Sequence, residues 1–142
     1  AFALAFSTPL ARLFGPKIEG GLLFFGFYLL TGVLANLAFA ALHPGSPVLV
    51  VGASGAVSGL MGASARLLGG GGRVGPIFSR PVISLGGAWL GINILMALAP
   101  PSLLPGAGSA GVAWEAHLAG FALGVLLVSP FAWLAPRGDG GA

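Results

Sequence analysis

The sequence contains no cysteine and very little charge. Six Lys or Arg and three Asp or Glu are spread over 142 residues, so 6% of the chain is charged, against about 25% in a typical soluble domain. The lack of cysteine excludes disulfides and thiol chemistry. So few charged side chains cannot cover the water-facing surface of a globule of this size. With 56% hydrophobic residues and a mean hydropathy of +1.01, the chain must have the lipid bilayer as its solvent.

Basic residues outnumber acidic ones, and the isoelectric point is about 10.8. The basic residues are nevertheless scattered along the chain and form no patch of the kind that binds nucleic acid. The sequence therefore predicts a bilayer environment and no nucleic-acid partner. We also expect no cofactor and no metal ion.

Five apolar segments are separated by Pro, Gly and charged residues. They cover about residues 1–14, 20–42, 48–68, 82–99 and 112–134. The first is too short to cross a bilayer, whereas each of the others is long enough, at ~1.5 Å per residue, to cross ~30 Å of hydrocarbon. The sequence therefore predicts an all-α, polytopic membrane bundle over residues 1–135, followed by a tail over residues 136–142.

All the basic residues fall on one side of a simple zigzag of these segments. The connections around residues 43–47 and 100–111 contain none of them; the six are Arg12, Lys17, Arg66, Arg73, Arg80 and Arg137. The positive-inside rule makes the basic side cytoplasmic. We therefore expect a multi-pass protein of the bacterial inner membrane, with its C-terminus and tail in the cytoplasm.

A serine lies between glycines near the start of the third segment, in Gly52-Ala53-Ser54-Gly55. From Ser54 the apolar run is short for a full span, so we expect residues 47–53 to enter the membrane as a loop and the helix to start near Ser54. Irregular backbone at membrane depth requires a cavity that protein or water lines. Free N–H groups at a helix start can stabilise an oxyanion. An alternative interpretation is that Gly55, Gly59 and neighbouring glycines form only a helix-packing ridge, and the two are compatible.

A histidine lies near the start of the last segment. His117 is followed by Gly120 and Gly124 at i+3 and i+7, so the helix face that packs closely also carries the imidazole. An ionisable group within a span is a functional candidate, although a histidine bonded to a backbone carbonyl is the alternative. Both Ser54 and His117 fall near the outer side at a similar depth, where the imidazole can act as base for the hydroxyl.

No carboxylate is placed to orient this imidazole. Glu115 lies on another face of the same helix, and Glu19 belongs to an inner connection. The sequence therefore predicts a Ser–His dyad. The other histidine, His43, lies beside a proline at a span end and is interpreted as interfacial, without a role.

These residues resemble the rhomboid family of intramembrane serine proteases. The matching strings are Gly52-Ala53-Ser54-Gly55, residues 111–124, and Phe14-Gly15 followed by Glu19. The resemblance covers essentially the whole chain, from the second helix of the family to the sixth, so we expect the first helix to be missing. It implies a helical bundle with a short central helix that starts at the nucleophile.

The resemblance also implies roles for the candidate residues. Ser54 would be the nucleophile, His117 the general base, and the Ser54 backbone N–H part of the oxyanion hole. The substrate would be a transmembrane segment of another protein, cut near its outer end. The histidine and asparagine that usually support the oxyanion correspond here to Ala3 and Ser7, of which only Ser7 can still donate a hydrogen bond.

A further departure from the family pattern lies four residues after the nucleophile. The family often has an aromatic residue there, and its ring stacks on the histidine. Here that position is Ser58. The departures leave open a second hypothesis, a rhomboid-like protein without protease activity that binds membrane clients. A third is a transporter or inert bundle, for which Asn93 is the main additional polar residue within a span.

Overall fold

The chain folds as an all-helical bundle in the computed structural model, which describes residues 2–45, 53–100 and 113–136. Within these ranges there are five helices and no strand. They are α1 (Phe2–Phe14), α2 (Ile18–Leu42), α3 (Ser54–Gly69), α4 (Arg80–Leu98) and α5 (Trp114–Leu134). The helical class predicted from the sequence is confirmed.

Three of the helices are long and apolar enough to cross a membrane: α2 with 25 residues, α4 with 19 and α5 with 21. Their exposed surfaces carry large apolar side chains, as Leu29, Ile94 and Leu126 illustrate. Such a surface suits lipid and not water. The protein is therefore an integral membrane protein.

The central helix α3 is shorter. It has 16 residues, about 24 Å of helix, which is less than the ~30 Å of a hydrocarbon core. It begins at Ser54, as the sequence predicts. The stretch expected to lead into it, including Gly52, lies outside the described residues.

The helix α3 packs against each of the other four helices. Its composition explains this position, because Gly, Ala and Ser present little side-chain volume and allow neighbours to approach from every direction. Of its 16 residues, only Ser54 and Leu68, close to its two ends, have exposed side chains. The interior of the bundle is thus built around a helix rich in small residues, and large apolar side chains such as Phe14, Phe27 and Leu60 fill the core beside it.

The backbones of α3 and α5 touch along a line that we call the glycine seam. A Cβ atom added to Gly120 would overlap the carbonyl oxygen of Gly55, and one added to Gly124 would overlap that of Gly59. One added to Gly62 would overlap the carbonyl oxygen of Phe121. The seam is the most extensive contact between any two helices of the bundle. It requires glycine because no side chain fits between the two backbones.

One end of the bundle, which we call the basic end, contains Arg12, Lys17, Arg66, Arg73 and Arg80. Here a buried arginine ties the α3–α4 connection to α5. Arg66 donates to the Gly75 carbonyl from Nε (2.9 Å) and Nη2 (2.6 Å), and from Nη1 to the Val125 carbonyl (2.9 Å) and Ser129 Oγ (2.7 Å). The planar fork of arginine suits several fixed acceptors at once. The opposite end, where α3 and α5 begin, is called the serine end.

The glycine seam predicts that a single methyl group will weaken the bundle. Gly124→Ala should lower the free energy of unfolding by about 1–3 kcal/mol, because the new Cβ must push the two backbones apart. Gly87→Ala is the matched control, since a Cβ at Gly87 meets nothing within 4 Å and alanine favours the helix. Thermal unfolding in detergent micelles measures both. Equal melting temperatures for the two variants would contradict the seam.

The hydrogen bonds of Arg66 predict that two Arg→Lys substitutions in the same region will differ in their effect on stability. Arg66→Lys should cost about 1–3 kcal/mol, because one ammonium group cannot reach both the Gly75 carbonyl and α5. Arg73→Lys, at an exposed position of the connection, should change stability by less than about 0.5 kcal/mol. Thermal unfolding in detergent micelles measures both variants. An Arg66→Lys variant as stable as the parent chain would show that these hydrogen bonds contribute little to stability.

Candidate active site

Ser54 opens α3 at the serine end, and its side chain is exposed. The preceding residue, Ala53, makes no side-chain cap, and the first backbone bond of this turn runs from the Val57 N–H to the Ala53 carbonyl (2.9 Å). The N–H groups at the start of such a helix have no partner within it. The hydroxyl of Ser54 thus stands beside backbone donors that are able to hold a developing negative charge.

His117 lies in the first turn of α5, with a half-buried side chain. The glycine seam fixes its height relative to Ser54. A Cβ added to Gly55 would lie 3.7 Å from the Ala116 carbonyl oxygen, and Gly120 packs against the Gly55 carbonyl. Ser54 and His117, each adjacent in sequence to a residue of this contact, therefore lie at the same end of the bundle and at the same level.

The imidazole of His117 is held by α4. His117 Nδ1 is 2.8 Å from Asn93 Oδ1, and the indole ring of Trp89 packs beside it with ring centroids 5.8 Å apart and planes tilted by 37°. Within the described residues, no hydrogen bond joins Ser54 Oγ to His117. In unliganded sites such bonds are often long and shorten when substrate binds. The contact to Asn93 uses Nδ1, and in the described part of the chain Nε2 makes no hydrogen bond.

The bundle of apolar helices agrees with the comparison against protein families. The model of the rhomboid domain matches residues 1–133. The chain belongs to the rhomboid family. Comparison with curated proteins and with solved structures gave no match, so the assignment depends on the domain model.

In this rhomboid chain Ser7, the predicted oxyanion donor, makes a hydrogen bond within its own helix. The Ser7 hydroxyl donates to the Leu4 carbonyl of its own helix (3.1 Å), and its neighbour Phe6 accepts a bond from Ser64 Oγ (2.8 Å). Ser64 lies about 15 Å along α3 from Ser54. These contacts place Phe6 of α1 beside Ser64, and the oxyanion role of Ser7 stays a prediction.

The aromatic partner of the histidine comes from a different helix than the rhomboid pattern suggests. Ser58 is buried beside the glycine seam, and its hydroxyl donates to the Ser54 carbonyl (2.9 Å). A Cβ added to Gly120 would lie 3.2 Å from the Ser58 Cβ, so the α5 backbone passes close to this position. The ring that packs on His117 is instead Trp89 of α4.

His43, interpreted as an interfacial residue without a role, is exposed at the end of α2 and contacts α5. Its Nε2 lies 3.0 Å from Glu115 Oε1, and its ring lies 4.6 Å from that of Phe39. The contact joins the end of α2 to the first turn of α5, two residues before His117. An exposed pair of this kind contributes at most about 1 kcal/mol. Glu115 faces His43, in agreement with the prediction that it does not orient the His117 imidazole.

Sequence reasoning missed Trp89 and assigned Asn93 only to a transport hypothesis. The signal that was present is their spacing, because residues four apart on α4 share one helix face. Asn93 is fully buried, and a polar side chain within a span normally faces the protein interior. Which neighbour that face meets depends on how α4 packs, and no motif carries that information.

The ring contact predicts a spectroscopic difference between two tryptophan variants of this rhomboid chain. Trp89→Leu should shift the resonances of the His117 ring protons, because the neighbouring indole is removed. Trp133→Leu, at a side chain that is 77% exposed on α5, should leave them in place. Side-chain NMR spectra of the protein in micelles measure the effect. Unchanged His117 resonances in Trp89→Leu would mean that the two rings are not in contact.

Proposed function

We propose that this protein is an intramembrane serine endopeptidase that uses Ser54 as nucleophile and His117 as general base. Its substrates would be transmembrane segments of other membrane proteins, cut near their outer ends. The observation that carries the proposal is the placement of Ser54 and His117 at one level of the serine end, across the glycine seam. Membership of the rhomboid family supports the same chemistry.

The proposed reaction begins when Ser54 Oγ attacks the carbonyl carbon of the scissile peptide bond. His117 Nε2 takes the hydroxyl proton as the new C–O bond forms, and the carbonyl electron pair moves to its oxygen. The N–H groups in the first turn of α3, that of Ser54 among them, stabilise this oxyanion. No side-chain cap competes for these donors.

Collapse of the tetrahedral intermediate completes the first half of the reaction. The C–N bond breaks, His117 returns its proton to the leaving amine, and an ester between Ser54 and the substrate remains. A water molecule then attacks the ester carbon while His117 takes one of its protons. The bond from this carbon to Ser54 Oγ breaks, His117 returns the proton to Oγ, and the second product leaves with a new carboxyl group. The exposure of Ser54 at the start of a short helix gives both peptide and water a route to the hydroxyl.

The proposed orientation follows from the basic end. Arginine and lysine residues gather where α1, α3 and α5 end, and the positive-inside rule makes that end cytoplasmic. The serine end then faces the outer side, consistent with cleavage near the outer ends of substrates. We propose the bacterial inner membrane as its location.

The proposal predicts that activity depends on two residues. Cleavage of a single-span reporter protein by the chain in membranes should fall by at least about 10³-fold in Ser54→Ala and in His117→Ala, since removing either half of such a pair removes covalent catalysis. Ser84→Ala, on the exposed face of α4, is the control and should cut at the original rate. If Ser54→Ala cuts as well as the parent chain, the proposed mechanism is wrong.

A further inference from the structure

Asn93 of α4 is a fully buried polar residue with bonds on both sides. Its side-chain Nδ2 donates to the Trp89 carbonyl of its own helix (2.8 Å), and its Oδ1 lies 2.8 Å from His117 Nδ1 on α5. One side chain therefore connects the α4 backbone to the imidazole. Within the described residues it is the hydrogen-bond partner of the His117 ring.

The Trp89 carbonyl determines which way the Asn93 amide points. A carbonyl oxygen can only accept, so the amide nitrogen must face it and the amide oxygen must face His117. The amide oxygen is itself only an acceptor, so His117 Nδ1 must carry a proton. Neutral imidazole has a single N–H, and the lone pair is consequently on Nε2. The chain of donors and acceptors thus selects one of the two histidine tautomers.

We propose that Asn93 is the positioning residue of the catalytic histidine. It fixes His117 in the Nδ1–H tautomer and holds the ring so that Nε2 is available to Ser54. In a Ser-His-Asp triad a carboxylate has this task, and here a neutral amide does so without placing a charge within the membrane. The role as helper of a base rests on the proposed function, whereas the tautomer follows from the hydrogen bonds alone.

The helix α4 supports this role with a second contact. Trp89 lies one turn before Asn93 and supplies both the carbonyl that orients the amide and the indole that packs beside the His117 ring. The imidazole is restrained in its plane by Asn93 and at its face by Trp89. A face of α4 thereby becomes part of the catalytic apparatus, although neither of these residues need touch the substrate.

The test combines NMR of the unmodified chain with two substitutions. In the ¹⁵N spectrum of histidine-labelled protein, neutral His117 should show a protonated Nδ1 and an unprotonated Nε2. Asn93→Leu has a similar volume but neither bond. It should lower kcat by roughly 10- to 100-fold with little change in KM, which is the size of effect found when the partner that orients a metal-binding histidine is removed. The Nδ1–H preference should be lost in the same variant.

Asn93→Asp separates positioning from packing. Its carboxyl group retains an acceptor for Nδ1–H, and should recover the tautomer and most of the activity that Asn93→Leu loses. Ile94→Ala, at the next and exposed position of α4, is the control and should match the parent chain. If α4 needed a polar residue at this position only for packing, the changes in kcat among these variants would not parallel the changes in the His117 tautomer. That result would overturn the positioning role.

Failure of this inference is distinguishable from failure of the proposed function. A parent chain that cuts its reporter, but whose His117 carries the proton on Nε2 or whose kcat is unaffected by Asn93→Leu, would overturn the role of Asn93 alone. A parent chain in which Ser54 is never acylated would overturn the proposed function, while the tautomer measurement would still decide whether Asn93 orients His117.

Discussion

The contact on which the structure depends is the direct approach of two helix backbones, α3 and α5, along the glycine seam. Lipid offers little hydrophobic drive for association, so close packing of small residues is what holds such helices together. The same approach brings Gly55 against Ala116 and Gly120, and thereby places Ser54 and His117 at one level. Packing and chemistry are therefore not competing explanations for the glycines, because the seam that stabilises the bundle also aligns the candidate dyad.

Further hydrogen bonds hold α3, α4 and α5 together at both ends of the bundle. At the basic end, Arg66 fixes the connection between α3 and α4 to α5 through neutral acceptors. Near the serine end, α4 reaches the imidazole through Asn93. The candidate site is thus assembled by three consecutive helices, with α3 supplying the hydroxyl, α5 the proposed base and α4 its support.

The sequence predicted those features of the fold that depend on residues close together in the chain. The start of α3 at Ser54 followed from the shortness of the apolar run, and the close face of α5 followed from the spacing of His117, Gly120 and Gly124. What depends on the relative placement of helices was not accessible. The offset of α1 from α3 places Phe6 beside Ser64, and the packing of α4 turns Asn93 toward the histidine.

The central claim is that Ser54 and His117 form one catalytic unit at the serine end. An experimental structure of the protein after reaction with a serine-directed phosphonate tests it most directly. The account predicts a phosphorus–Oγ bond at Ser54, with the phosphoryl oxygen against the N–H groups of the first turn of α3 and His117 Nε2 within about 3.2 Å of Ser54 Oγ. An unmodified Ser54, or a modified Ser54 whose Oγ lies beyond ~4 Å from a His117 ring turned away from it, would contradict the account.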